Sequence, residues 1–253
     1  MKTGFLDGLG YGDCGVGVDA SDNLYVGLNL KPRSRPYPRE FMGQVPAKAW
    51  LWWRSTGVWG HSMPRDVPWL YIFCNPYLFQ WGSVFKFGPE GGAVYGHPAP
   101  RREGSSPYNA VANAPPGAAD VAPSYLGKRP MKVAGAAWGY LGCSPIPGSS
   151  DGPTPDPGCV CLPSHLAVDL WGRVYAPDAF SYSVRMLDTA GNRIDRIGRY
   201  DNADYTGPEI AFAGPVACDF AEADGRLCVS DIANRRLAVI RFDWSAAAEC
   251  AVP

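Results

Sequence analysis

The densest group of side chains able to do chemistry is Cys143, Cys159, Cys161 and His165, within GYLGCSPIPGSSDGPTPDPGCVCLPSH. Three thiolates and an imidazole can complete a tetrahedral site for zinc or for a softer ion such as copper. A C-x-C step, however, puts both thiols on one face of an extended strand, and the two-residue knuckle common in zinc sites is missing. Three readings stand together: a metal centre, a disulfide from Cys143 to Cys159 or Cys161, and packed free thiols. An alternative metal site would gather the chain's three histidines, His61, His97 and His165, which lie in separate segments. The leading reading of the chain needs no cofactor; zinc or copper belongs to the alternative.

Carboxylates recur at one position of a repeated pattern, as Asp19, Asp169 and Glu222. Paired carboxylates can serve acid–base catalysis, but a residue that returns in every copy serves something every copy needs. Accepting backbone N–H groups at a turn is the simplest such task. Cys218 and Cys228 flank the Asp224-Gly225 turn on two adjacent strands, so a cross-strand disulfide is one expectation and packed thiols the other. The run AWLWWRSTGVWGH carries Trp50, Trp52, Trp53 and Trp59, flat rings suited to stacking on sugars or anchoring a protein partner.

No G-x-S-x-G, Walker, Rossmann or H-E-x-x-H pattern is present, so the sharper hydrolase, nucleotide and metalloprotease signatures do not apply. A net charge of −1 over 253 residues gives no field for steering nucleic acid. No stretch approaches the ~20 apolar residues of a membrane span, and MKTGFLDGLG lacks the apolar core of a signal peptide. Eight cysteines, an even number, favour an oxidising compartment, extracellular or periplasmic.

The elements that position these groups are short strands. With 30 Gly, 25 Pro and 13% aromatic residues, the composition favours many strands joined by turns. Three segments align without a gap: Gly15 to Leu28 (GVGVDASDNLYVGL), His165 to Asp178 (HLAVDLWGRVYAPD) and Cys218 to Asp231 (CDFAEADGRLCVSD). Each reads as strand, acidic turn, strand, and a third strand follows the last two copies at equal spacing. A fourth copy is assembled from WLYIFC, Trp69 to Cys74, and SVFKFGPEGG, Ser83 to Gly92. His165 and Cys218 are about 50 residues apart, the length of a propeller blade.

The expected fold is an all-β propeller of four-stranded blades, about four visible, in one domain over 1–253. The blade-like units fall at approximately 11–58, 61–97, 131–203 and 208–245. Pro/Gly-rich insertions at 31–46, 98–130 and 144–158 read as surface loops.

The run LAVDLWGRVYAPDAFSYSVRMLDTAGNRIDRIGRYDN resembles an NHL repeat, with a strand ending in Asp, a Gly turn, and an "LD..GN" strand with an "IG.YDN" tail. GRLCVSDIANRRLAVIRF is similar to the same pattern, with Asp231, Asn234 and Arg235 standing where that family has Asp, Asn and Arg. The resemblance covers about half the chain and extends to the C-terminal part of uncharacterised planctomycete-type bacterial proteins. It implies a propeller. Gathering His61, His97 and His165 over a channel resembles the zinc site of the NHL-like peptide-amidating lyases; their "P-H-x-L-A" context is matched here by Ser164, with His165 one position on.

The function expected is a non-catalytic binding or scaffolding module for a protein or carbohydrate partner, with no nucleic-acid role, no membrane span and membership of a larger assembly in view. The alternative is a metal-dependent lyase or hydrolase with a channel site.

Overall fold

The computed structural model describes residues 6–7, 15–28, 30–33, 82–96, 111–123, 130–143, 165–178, 181–202 and 204–243. They form mainly antiparallel sheets with a 3₁₀ turn at Val111–Asn113, and among them no helix is long and apolar enough to cross a membrane. Sheet I has the order β1 (Leu6–Asp7), β6 (Gly92–Tyr95), β8 (Met131–Ala134), β7 (Ala119–Pro123), β4 (Leu30–Pro32). Its pairings are antiparallel except that of β1 with β6. Sheet II runs β2 (Val16–Val18), β3 (Leu24–Leu28), β5 (Gly82–Phe87), β9 (Ala136–Cys143).

Sheet III is a meander of β10 (Ala167–Val168), β11 (Val174–Asp178), β12 (Ser183–Leu187) and β13 (Arg193–Ile197). A parallel pair, β14 (Arg199–Tyr200) with β15 (Ala211–Phe212), leads to sheet IV: β16 (Pro215–Ala221), β17 (Arg226–Asp231) and β18 (Arg236–Arg241).

Period-two alternation gives each inner sheet two apolar faces. Val26, Leu28, Phe85 and Phe87 of sheet II pack on Leu30, Val94, Val121, Met131 and Val133 of sheet I. Tyr25, Val84 and Cys143 on the opposite face of sheet II meet Leu166 and, from sheet III, Val174, Ala176 and Leu187. Ala167, Tyr175, Val184, Met186 and Ile197 of sheet III then meet Cys218, Phe220, Leu227, Val229 and Ile240 of sheet IV, with Phe212 of β15. The Tyr175 and Phe220 rings stack there, 5.0 Å between centroids and 10° apart in plane. The sheets thus follow one another in the order I, II, III, IV. Each buried Val, Leu or Phe contributes roughly 1.5–3 kcal/mol.

This pairing corrects the expected unit boundaries. The expected unit over 61–97 has Ser83–Phe87 following Trp69–Cys74, which lies outside the described residues; instead β5 lies against β3, register Val26↔Phe85, as the third strand of the sheet begun at Val16. The fourth strand of that sheet is β9, so the 131–203 unit is also divided, with β8 in sheet I and β9 in sheet II. Within the expected 98–130 loop, Ala119–Pro123 is a strand held between β4 and β8, and its Val121 is fully buried. Leu30–Pro32 likewise carries the first residues of the 31–46 insertion into a sheet. The 144–158 insertion lies outside the described residues.

Candidate binding surface

The hairpin turns of sheets II and III share one hydrogen-bonding scheme. Asp19 Oδ1 accepts the N–H groups of Ser21 and Asn23 at 2.9 and 3.0 Å. Asp169 Oδ1 accepts those of Trp171 and Arg173 at 3.1 and 2.9 Å. The fourth residue of each turn is in the left-handed region, Asp22 at φ 60° and Gly172 at φ 77°. In both, the second carboxylate oxygen takes a side chain from the fifth residue, Asn23 or Arg173, and the hydroxyl of Tyr25 or Tyr175. The β12–β13 turn repeats the first part of the scheme, Asp188 Oδ1 accepting Ala190 N–H and Asn192 N–H.

At Asp19 and Asp188 these bonds favour the ionised carboxylate. At Asp19 burial works against the charge, yet the bonds from Asn23, Tyr25 and Ser21 outweigh it and hold the group below its ordinary range. At Asp188 the Asn192 side chain and backbone do the same. Burial, then the neighbouring carboxylate, pushes the Tyr25 and Tyr175 phenols well above the usual tyrosine range.

The third copy is built differently. Glu222 Oε1 reaches out of its own turn to accept the Leu170 N–H of sheet III at 2.6 Å. Its Oε2 is buried and has no hydrogen-bond partner among the described residues. Where Asp becomes Glu, the tyrosine that would bond it becomes Cys228; acid and phenol change together. The recurrent carboxylates therefore bind turns, as expected at Asp19 and Asp169, and join neighbouring turns at Glu222. Sheets II and III meet here too: a Cβ on Gly172 would lie 2.6 Å from Tyr25 Oη.

On this scaffold the β10–β11 turn raises two large apolar side chains, Leu170 and Trp171, 57% and 62% exposed. Their counterparts are Ala20 and Ser21 in sheet II and Thr189 and Ala190 in the β12–β13 turn, so the turn itself does not require bulk. The tip is held in place. The Arg173 guanidinium lies 4.8 Å from the Trp171 ring centroid and is tethered to buried Asp169 at 2.5 Å, while Glu222 fixes the Leu170 backbone. Sequence reasoning passed over Trp171; the signal was a tryptophan where the aligned turn positions are small.

Of the residues expected at a metal centre only Cys143 and His165 are described, and among the described residues no group of three or more His, Cys, Asp or Glu stands close enough to hold an ion. Cys143 is buried at the end of β9, and His165 is exposed, bridging in parallel to Ala217 of β16. Cys159, Cys161, His61, His97, Trp50, Trp52, Trp53 and Trp59 lie outside the described residues. The Cys218–Cys228 disulfide expectation is corrected, since both are free thiols; the pairing of Cys143 with Cys159 or Cys161 involves residues outside the described ones. Cys218 lies opposite Val229, and Cys228 opposite Asp219, so the two thiols point to opposite faces of sheet IV.

The resemblance placed Asp231, Asn234 and Arg235 together. Asp231 Oδ2 does accept Asn234 Nδ2 at 2.7 Å, but the arginine that reaches it is Arg236, Nε at 3.2 Å. Arg235 is exposed, at φ 52°. No protein-family model matches the chain, and no curated protein matches it.

Proposed function

We propose that the chain is a β-propeller of NHL-like blades acting as a non-catalytic binding module, and that the Leu170–Trp171 tip anchors it to a protein partner. The propeller reading is supported by the succession of doubly apolar antiparallel sheets and by the β10–β13 meander, the strand order of a blade. The binding reading rests on one observation: a rigidly held, exposed Leu-Trp pair occupies a turn whose counterparts carry small residues. Prepositioned aromatic anchors lose little conformational freedom on docking and dominate protein contacts.

A protein is favoured over a carbohydrate by what surrounds the ring. Sugar recognition combines stacking with polar groups free to bond hydroxyls, whereas Asp169 and Glu222 Oε1 are already occupied by Trp171, Arg173, Tyr175 and Leu170. The test is a peptide-display selection paired with a glycan array, run on the wild-type chain and on Leu170→Ser and Trp171→Ala. Selected peptides are expected to lose about 30-fold in affinity for Trp171→Ala, the size of an interface hot spot. Glycan binding alone, lost in the same variant, would replace the protein partner with a carbohydrate; binding indifferent to both variants would sink the reading.

A further inference from the structure

The turns of sheets III and IV differ in what restrains their glycines. Gly172 and Gly191, both at positive φ, donate their N–H groups to the carbonyls of Asp169 and Asp188 at 2.8 and 3.0 Å. Each is also pressed against sheet II, where an added Cβ would lie 2.6 Å from Tyr25 Oη or from the Trp138 ring. Gly225, at φ 61° in the β16–β17 turn, has neither restraint. Nothing lies within 4 Å of its Cβ position, and among the described residues its N–H has no hydrogen-bond acceptor. The turn is closed one residue earlier, by the Asp224 N–H to the Ala221 carbonyl at 3.3 Å. Before this open nitrogen stands Asp224, its side chain 48% exposed, where the other two turns have Trp171 and Ala190. Of the three Asp-Gly pairs in the sequence, it is the one that lies wholly within the described residues.

We propose that Asp224–Gly225 is a self-modification site, at which the chain converts its own aspartate to isoaspartate and so loosens the tie between sheets III and IV. The Gly225 nitrogen attacks Cγ of the neutral Asp224 carboxyl. The N–Cγ bond forms, the Cγ–OH bond breaks, and one water leaves with the amide proton, closing a succinimide ring. Water then adds to one of the two ring carbonyls. Breaking the bond from nitrogen to Cγ restores aspartate; breaking the bond to the main-chain carbonyl leaves the chain running through Cβ and Cγ. One water is released and one returned, and no other reactant enters. Glycine suits the attack because it has no side chain to crowd the nitrogen and its backbone turns freely. Arg226 engages the carboxylate, but both partners are about half exposed, and ion pairs of that kind are weak. Isoaspartate adds one main-chain atom between Ala221 and Arg226, whose pairing closes the hairpin. Glu222 stands in that interval and accepts the Leu170 N–H of sheet III, so the lengthened turn withdraws the acceptor.

The full wild-type chain, kept folded for weeks at neutral pH, tests the proposal. Trypsin cuts after Arg199 and Arg226, and an isoaspartyl methyltransferase with a labelled methyl donor then marks any isoaspartate in the peptide between them. Label is expected in that peptide from the folded chain and absent from Asp224→Glu, whose larger ring closes slowly. Asp224→Asn reaches the same succinimide by losing ammonia and is expected to label faster. Label that appears only after unfolding in urea overturns the proposal, as does equal labelling of Asp224→Glu. In the isoaspartate-bearing fraction the Leu170 amide is expected to exchange about fivefold faster, the size of one net hydrogen bond. Exchange equal to that of fresh chain overturns the link to sheet III. Neither readout depends on Leu170 and Trp171 docking a partner.

Discussion

Buried Asp178 and half-buried Arg185 form an ion pair at the positions that Leu28 and Phe85 fill in the neighbouring sheet. Asp178 lies opposite Ser183 as Leu28 lies opposite Ser83, and Arg185 Nε reaches Asp178 Oδ2 at 2.8 Å. One backbone thus accepts a charged or an apolar solution. Breaking a buried pair leaves an uncompensated charge, while replacing both members is often neutral. Arg185→Phe alone is expected to cost about 3–5 kcal/mol. Adding Asp178→Leu should recover most of that loss, as read by urea denaturation.

Asp169 is the hub of the β10–β11 turn, with its side chain fully buried. Asp169→Ala is expected to lower stability by about 3–5 kcal/mol, because Arg173, Tyr175 and two backbone donors lose their acceptor. Trp171→Ala, on the same turn, is expected to change stability by less than about 0.5 kcal/mol. A large stability loss in Trp171→Ala would mean that the ring is a structural element.

Acid should loosen the turns in a defined window. Asp19 and Asp188 are held below the ordinary carboxylate range when folded, so their stabilisation is complete above the unfolded value, about 3.9. It disappears as pH falls through the folded values. The variant Asp19→Asn/Asp188→Asn should be less stable at neutral pH, with a shallower decline below about pH 4; thermal melts across pH 2–6 measure the slope. An unchanged slope would assign the acid response to other carboxylates.

The described thiols should separate by reactivity. Burial, reinforced by Asp178, pushes Cys143 up to about 12, and burial with Asp219 raises Cys218 as well. Brief iodoacetamide treatment of the native chain at pH 8, followed by peptide mass mapping, should label the half-buried Cys228 ahead of both. Preferential labelling of Cys143 would contradict its place in the core between sheets II and III.

Legibility in the sequence followed locality. The paired strands of Val174–Asp178 and Ser183–Leu187 could be read because a short connection joins them and the alternation is unbroken. The acidic turns could be read because Asp19 and Asp169 recur with their tyrosines. The partner of β3 could not, because β5 returns only at Gly82, after a long interruption, and its local pattern resembles an independent hairpin. Ala119–Pro123 has a single large apolar residue, Val121; its strand character comes from β4 and β8 on either side, which composition does not report. The Cys218–Cys228 expectation failed on register: the pairing of Ala221 with Arg226 offsets the two thiols by one residue. Leu170 and Trp171 stood within an aligned motif, and their bulk is informative only beside the small residues of the matching turns.

The interleaving of sheets I and II has a consequence for biogenesis. Sheets III and IV each draw on a contiguous stretch of chain, so a nascent polypeptide can fold either one as it emerges. Sheet II must hold β3 and β5 without their outer strand until Ala136–Cys143 has been translated, with the whole of β6–β8 made in between. Closing loops of that length slows folding. The amino-terminal half is therefore the part that waits.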